Sequence, residues 1–382
     1  MFMGNVIQTP FGWCLLAWLG LGARVRPPSY RPSDRGVVPG AGIVHRRVRL
    51  LTKAAVATTV RWASMTEPRV SIGMPVYNAE AFLAETLDSI LAQTFQNFEL
   101  VISDNASTDA TPEIGRTYTQ TDRRIRYEPN EANIGMIANF NKSFRLSGAG
   151  YFKWHAHDDV LAPEFLERCV ELLDSDPTTI LVGTRVGLIE EDGSLVSFDA
   201  KKAMFVTSDG EEIPLPPPPY PLASSRRLQR FQGVLFNVTG PVHSEFLFGV
   251  FRSKALGQTP LLEGYIGAEK VLLARLSLKG RFKEVPKELF FRRYHLGHAG
   301  RVGKDRWRGH IRIARNYDPK RHVILFPLAR QVRGYFRAIA QADISRVEKI
   351  RCGTMVLEKV LTVGGKRVMA MTIKAREVAL RR

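Results

Sequence analysis

VSIGMPVYNAE, residues 70–80, begins as an unbroken apolar run and ends in a polar one. Val70 to Met74 reads as a strand buried on both faces. Pro75 stiffens its exit, and Tyr77 and Asn78 place a flat ring, a hydroxyl and an amide at its end. Ala79–Gln93 then carries Leu83, Leu87, Ile90 and Leu91 on one helical face, so a helix packs back on the strand. The alternation repeats. FELVIS (98–103), IRYEP (125–129), YFKWHA (151–156) and TILVGT (179–184) read as strands. Helices separate them, one running to about Gln120, one over Gly135–Leu146 and one over Pro163–Leu173. Such alternation argues for an α/β fold with a parallel sheet covered on both faces. Ligands bind at the carboxyl ends of such strands. Three ends here are polar: Pro75-Val-Tyr-Asn78, Asp104-Asn105 and His157-Asp158-Asp159.

Further along, the pattern loosens. PLPPPPYP (214–221) fits neither helix nor central strand and reads as a polyproline spacer or lid. Arg226–Phe236 reads as a helix, FLFGVFR (246–252) as a strand and Ile266–Leu278 as a helix, followed by RFKEVP and ELFFRR (288–293) as two short strands. After His298 only helices are expected, over about 325–340, 345–361 and 366–380, with Arg330, Arg333 and Arg337 at helical spacing in the first.

The chain of 382 residues is 45% hydrophobic and 24% charged, which excludes a wholly disordered chain and a multi-spanning membrane protein. Its cysteines, Cys14, Cys169 and Cys352, are too sparse for a disulfide framework or a zinc site, and a reducing compartment follows. The net charge of +18 is unevenly spread. Residues 1–65 hold nine Lys/Arg against one acid, and residues 301–382 hold twenty-one against six. The middle, 66–300, is left with twenty-five against thirty. The basic ends suit an anionic surface. No nucleic-acid recognition motif accompanies them, so nucleic acid is not expected. FGWCLLAWLGLGA (11–23) is too short to span a bilayer and lacks the basic start of a signal peptide. It reads either as an interfacial anchor or as sequence upstream of a start at Met65.

The polar ends carry the chemistry. Adjacent carboxylates such as Asp158 and Asp159 repel, and burying both calls for a cation. Oxygen ligands suit Mg²⁺ or Mn²⁺, which use one or two carboxylates plus substrate phosphates; capping of the next helix is the other reading. Asp104 and Asn105 have the donor and acceptor pattern to read the imide edge of uracil, and Ser107 and Asp109 suit helix capping. There is no G-x-G-x-x-G and no Walker loop, which disfavours a dinucleotide dehydrogenase or a P-loop kinase.

Taken in order, VSIGMPVYNAE, SILAQTFQNFELVISDNASTD (89–109) and the strand ending in His157-Asp158-Asp159 resemble the inverting family 2 glycosyltransferases of the GT-A fold. The resemblance is strong over about 68–185 and weaker over 240–298. It implies a mixed α/β sheet of Rossmann-like type, a nucleotide-diphosphate sugar donor, a divalent metal and inversion at the anomeric carbon. By position, Pro75, Tyr77, Asn78, Asp104 and Asn105 would hold the nucleotide, with uridine first choice. Many relatives have a second acid where this chain has Asn105. Asn133 and Gly135 match an N-x-G loop beside the nucleotide. Asp158 matches a donor-binding residue and Asp159 a metal ligand, with His157 where an acid often stands. The family's base is an acid at the start of a later helix, here Glu269, where many relatives have Asp; a capping acid is the plainer reading. Arg292 and Arg293 would close over the diphosphate or sit in a solvated turn. His295 would offer a further metal ligand, and His243 reads as acceptor-lining or structural.

These readings divide the chain into an N-terminal extension (1–65, expected to be poorly ordered), a catalytic domain (66–300, with a nucleotide-sugar half over 68–185 and an acceptor half over 186–300) and a basic helical tail (301–382). The expected protein is cytoplasmic, with an anionic membrane surface at the inner face of the plasma membrane as a partner. Its acceptor would be a glycan, lipid-linked or glycolipid molecule in cell-surface synthesis. The competing readings are a non-catalytic nucleotide-sugar-binding homologue and a sugar-1-phosphate nucleotidyltransferase. The latter calls for a Gly-rich, basic phosphate loop where this chain has Val76-Tyr77-Asn78.

Overall fold

A computed structural model describes residues 67–214, 221–237, 244–295 and 327–362. The extension before residue 67, most of the proline run, His243, His298 and the helix expected at 366–380 lie outside the described residues.

The first half follows the alternation closely. Strand β1 (Val70–Val76) leads to helix α1 (Leu83–Leu91), β2 (Phe98–Asp104) to α2 (Thr111–Thr121), and β3 (Ile125–Pro129) to α3 (Met136–Arg145). β4 (Tyr151–Trp154), the two-residue β5 (Val160–Leu161), α4 (Phe165–Ser175) and β6 (Thr179–Ile189) follow. Every residue of β1 is buried. Burial on both faces is the condition under which an uninterrupted apolar run is the stable strand sequence.

The second half departs further from expectation. A small antiparallel sheet of β7 (Ser197–Asp199), β8 (Met204–Val206) and β9 (Glu212–Pro214) occupies the irregular region. Next come α5 (Arg227–Asn237), a 3₁₀ turn (Ser244–Phe248), β10 (Val250–Arg252), α6 (Ser253–Gly257) and α7 (Ala268–Ser277). The two short strands expected after α7 are one strand, β11 (Arg281–Arg293), whose pairing with β6 is irregular between Val285 and Glu288. That break, at Pro286, is where the sequence divided it. Helix α8 (Pro327–Gln341) and a helix α9 over 346–362 complete the described chain.

The main sheet has eight strands in the order β3-β2-β1-β4-β10-β6-β11-β5. It is mixed rather than parallel. β1 to β4 pair in parallel, β10 runs against both β4 and β6, and β11 runs with β6. Reversal at β10 twice over restores the direction, so β6 and β11 point the same way as β1, β2 and β4. All five strands therefore deliver their carboxyl ends to one edge.

Two apolar layers cover the sheet. One packs Val70, Ile72 and Met74 of β1 against Leu83, Leu87 and Ile90 of α1 and Phe165, Leu166 and Cys169 of α4. The other packs Phe152 and Trp154 of β4 against α5, α7, Tyr335 of α8, and Cys352 and Val356 of α9. The alternation along β4 turns Lys153 and His155 away from the second layer. Both are fully buried.

Candidate active site

The exits of β1 and β2 are tied to each other. Asn78 stands at φ 48°, a left-handed conformation that asparagine tolerates. Its Oδ1 accepts from the Thr108 N–H at 2.9 Å, and its own N–H donates to Ser107 Oγ at 2.9 Å. Tyr77, next to it, keeps 47% of its surface exposed. Pro75 is buried within β1, paired with Ser103. Ser107, expected to cap α2, instead joins two loops; Asp109 does meet that helix, accepting the Thr111 N–H at 3.0 Å.

Asp104 is buried and already furnished with donors. Its Oδ1 accepts from the Ser107 N–H at 3.0 Å and the Ser107 hydroxyl at 2.6 Å, and the Tyr127 hydroxyl donates to Oδ2. Asn105, equally buried, donates from Nδ2 to Asn133 Oδ1 at 2.9 Å. Its Oδ1 accepts from Asn130 Nδ2 at 3.1 Å and the Ile134 N–H at 2.8 Å. Asn133 Oδ1 also accepts the Gly135 N–H at 2.9 Å, across a turn that Gly135 closes at φ 88°. An aspartate at 105 has no hydrogen to give Asn133, so the departure from the family's usual acid has a local use. The network continues inward, unforeseen from sequence. Asn139 accepts from Ser103 Oγ at 2.7 Å and from Asn130 at 3.1 Å, and Lys142 donates to Asn130 at 2.5 Å. Ser103, Asn105, Asn133 and Asn139 thus bind the N-x-G loop to the end of β2.

The acidic pair divides its labour. Asp159 is 4% exposed, and its Oδ1 accepts the Arg293 N–H at 3.1 Å. Burial first, and the Asp158 carboxylate second, push Asp159 above the usual carboxylate range, against the charge of Arg292. Asp158 stands more openly, and its Oδ2 lies 3.0 Å from His295 Nε2. Asp159, the expected metal ligand, thus stands less open than Asp158. Asp159 is turned into the protein, whereas Asp158 and His295 present a carboxylate and an imidazole together.

Arg293 also differs from its expected place over a diphosphate. Its side chain is fully buried, and its guanidinium is spent on protein groups. Nε donates to the Asp158 carbonyl at 2.9 Å, one terminal nitrogen to the Glu191 carbonyl at 2.8 Å, and the other to Glu85 Oε2 at 2.6 Å. It stacks 4.8 Å over Phe82, whose ring also meets His295 at 5.0 Å. Thr86 Oγ donates to the carbonyls of His157 and Asp159. Phe82, just before α1, and Glu85 and Thr86 within it thus hold the acidic loop, a role sequence reading missed. The signal was present, since Thr86 interrupts the apolar stripe of α1 between Leu83 and Leu87. Arg292 is half-buried, and its charge lowers Asp159.

Glu269 lies in the first turn of α7, after Gly267 at φ 87°. Burial raises its carboxyl, while the N–H groups of Gly267 and Glu269 and the charge of Lys270 pull it down. α7 joins β11 through residues 278–280. A helix returning along the sheet through so short a connection carries its start toward the strands' carboxyl edge. α8 covers this start: Gln331 Nε2 lies 3.5 Å from the Gly267 carbonyl. Tyr335 sits close enough for the Glu269 charge to raise its hydroxyl, after burial.

Among the described residues no cluster of three or more His, Cys, Asp or Glu stands ready for a metal. Asp158 with His295 fits a cation that takes its other ligands from phosphate and water, the usual habit of magnesium.

Residues 71–216 match the family model described as Glycosyl transferase family 2. Residues 71–216 are thus similar to a family 2 glycosyl transferase domain. EpsE of Bacillus subtilis, described as a putative glycosyltransferase, is 35% identical over 127 residues, 33% of this chain and 46% of EpsE. Glycosyltransferase GlyA of Streptococcus pneumoniae is 30% identical over 129 residues, 34% of this chain and 18% of GlyA. The match thus spans under half the length of each relative. Residues 1–349 of TarS from Staphylococcus aureus, solved with UDP-GlcNAc, share the fold at a TM-score of 0.53 and 16% identity, covering 77% of this chain and 73% of that one. The architecture is the GT-A fold.

Proposed function

We propose that this family 2 domain transfers a sugar from a nucleotide-diphosphate donor to an acceptor hydroxyl, with inversion. One observation carries the reading: five strands bring Tyr77-Asn78, Asp104-Asn105, Asp158-Asp159, Glu190 and Arg292–His295 to a single edge. The loops after β1, β2 and β3 form the nucleotide side, where Tyr77 offers an exposed ring for stacking. Uridine diphosphate is the first nucleotide to test, since TarS, which shares the fold, was solved with UDP and with UDP-GlcNAc. Asp158 and His295 would hold Mg²⁺ or Mn²⁺, which when bound offsets charge on the leaving diphosphate.

Glu269 is the proposed base. Its half-buried carboxylate takes the proton from the acceptor hydroxyl as that oxygen attacks the anomeric carbon and the diphosphate leaves from the opposite side. Base catalysis of this kind contributes about 10²–10⁴-fold. The raised carboxyl of Glu269 suits the task, because a base works best when its pKa approaches the working pH. The acceptor would be a glycan, lipid-linked or glycolipid molecule, and its product part of a cell-surface structure. No helix among the described residues is long and apolar enough to cross a membrane.

The test is transfer or hydrolysis of UDP-sugars with Mn²⁺, in the wild type and in Glu269→Gln and Asp158→Ala. Both variants should lose at least 100-fold in turnover while staying folded. Full activity in either one removes that residue from the site.

A further inference from the structure

Helix α9 is apolar on two opposite sides. Cys352 and Val356 face inward and are fully buried in the layer shared with α5, α7 and α8. The outward side carries Val347, Ile350, Leu357 and Leu361, exposed at 59%, 70%, 55% and 75%. At 100° per residue these four fall in one stripe with Thr354 between them. Phe336 of α8, 39% exposed, extends it: a Cβ at Gly353 would lie 3.5 Å from its ring. A surface helix that buries one face is expected to turn polar residues outward, and a contiguous apolar patch marks a contact site.

Charge selects the occupant. Arg346 and Arg351 border the stripe on either side, with Glu358 beside Arg351, and Arg333 is exposed on α8. Glu348 is turned toward Arg227 of α5, at 3.7 Å. Residues 327–362 hold seven Lys/Arg against three acids, whereas residues 66–300 hold twenty-five against thirty. A second copy would bring like charge to this face. An anionic bilayer would attract the helices and repel the catalytic domain, which fixes one orientation on the surface.

We propose that the outward face of α9, with Phe336, lies in the interface of an anionic membrane. The helix, about 25 Å long, would rest parallel to the surface. α8 joins this face to the site, since its opposite side covers the start of α7 beside Glu269. Docking there would hold the acceptor side of the cleft over the lipid. The inference deepens the reading above, from which it takes a lipid-borne acceptor, but its own test does not depend on catalysis.

Flotation of the full chain with phosphatidylcholine vesicles, with and without about a third phosphatidylglycerol, tests it. The wild type should float with the anionic vesicles alone and dissociate partly at high salt. Ile350→Glu/Leu357→Glu/Leu361→Glu should lose binding at least tenfold, with unchanged melting temperature and unchanged Mn²⁺-dependent UDP-sugar hydrolysis. Arg346→Ala/Arg351→Ala should bind several-fold more weakly and respond less to salt. Equal binding by wild type and triple variant overturns the proposal, as does absence of binding by the wild type. A fall in sedimentation mass of the triple variant, without vesicle binding by either protein, assigns the face to a contact between copies instead. If vesicle binding holds but no nucleotide sugar is turned over, the proposed reaction fails and the docking face stands.

Discussion

Asp158 Oδ2 and His295 Nε2 lie 3.0 Å apart although 137 positions separate them in the chain. The pair closes the acidic loop after β4 onto the end of β11, and Arg293 fixes the approach from behind. Its Nε holds the Asp158 carbonyl, and its own N–H holds the Asp159 carboxylate.

Removal of either partner should therefore abolish response to a divalent cation. In a thermal-shift titration with Mn²⁺ and UDP, the wild type should gain several degrees by linkage. Asp158→Ala and His295→Ala should gain little. Asp159→Asn keeps an oxygen for the Arg293 N–H and should retain the Mn²⁺ response. A retained response in Asp158→Ala together with its loss in Asp159→Asn would reverse the assignment made here.

As the proposed base, Glu269 would have to be deprotonated to act, and burial raises its carboxyl. Activity should thus fall as pH drops through a value above the ordinary glutamate range, visible as the acid limb of kcat/KM. Glu269→Gln should flatten that limb and lower kcat by about 10²–10⁴, with donor Kd changed less than threefold. An acid limb that persists in Glu269→Gln points to another base.

Asn105→Asp should loosen the nucleotide side. The new carboxylate oxygen would face Asn133 Oδ1 at the present 2.9 Å spacing, where a hydrogen bond now stands. Turning the Asn133 amide would relieve this only by taking the acceptor from the Gly135 N–H. The expected cost is about 1–3 kcal/mol of stability, with weaker UDP binding, read by urea unfolding and calorimetry.

Lys153 gives a pH signature to the fold itself. Burial lowers its ammonium to about 7, and Phe165 and Phe290 flank it at 4.6 and 5.1 Å. Between that pH and about 10.4 the unfolded chain binds a proton that the folded chain does not, so stability rises with pH across the window. Lys153→Met should flatten the rise. At pH 7 the substitution removes a buried charge but also takes the donor from the Trp154 and Phe248 carbonyls, a loss of about 1–3 kcal/mol that offsets part of the gain. Unfolding at pH 7, 8 and 9 measures both effects.

The sequence alone determined the layered α/β half. Apolar runs such as Val70–Met74 and the stripe of Leu83, Leu87 and Ile90 report burial through local periodicity. The polar ends of those strands were legible for the same reason, because a strand's end is visible where its apolar run stops. Glu269 came into view through the family resemblance, and its fit to the fold rests on a local feature, the glycine-led start of α7. What tertiary structure decided were pairings between distant segments. Which aspartate faces outward depends on Arg293, more than 130 positions away, and nothing in His157-Asp158-Asp159 distinguishes the two. The sheet's reversal at β10 likewise depends on which strands become neighbours, not on the three residues of β10. The outward stripe of α9 appeared only when packing used the opposite side of that helix. Periodicity shows how many faces a helix has, but only the fold shows which one it buries.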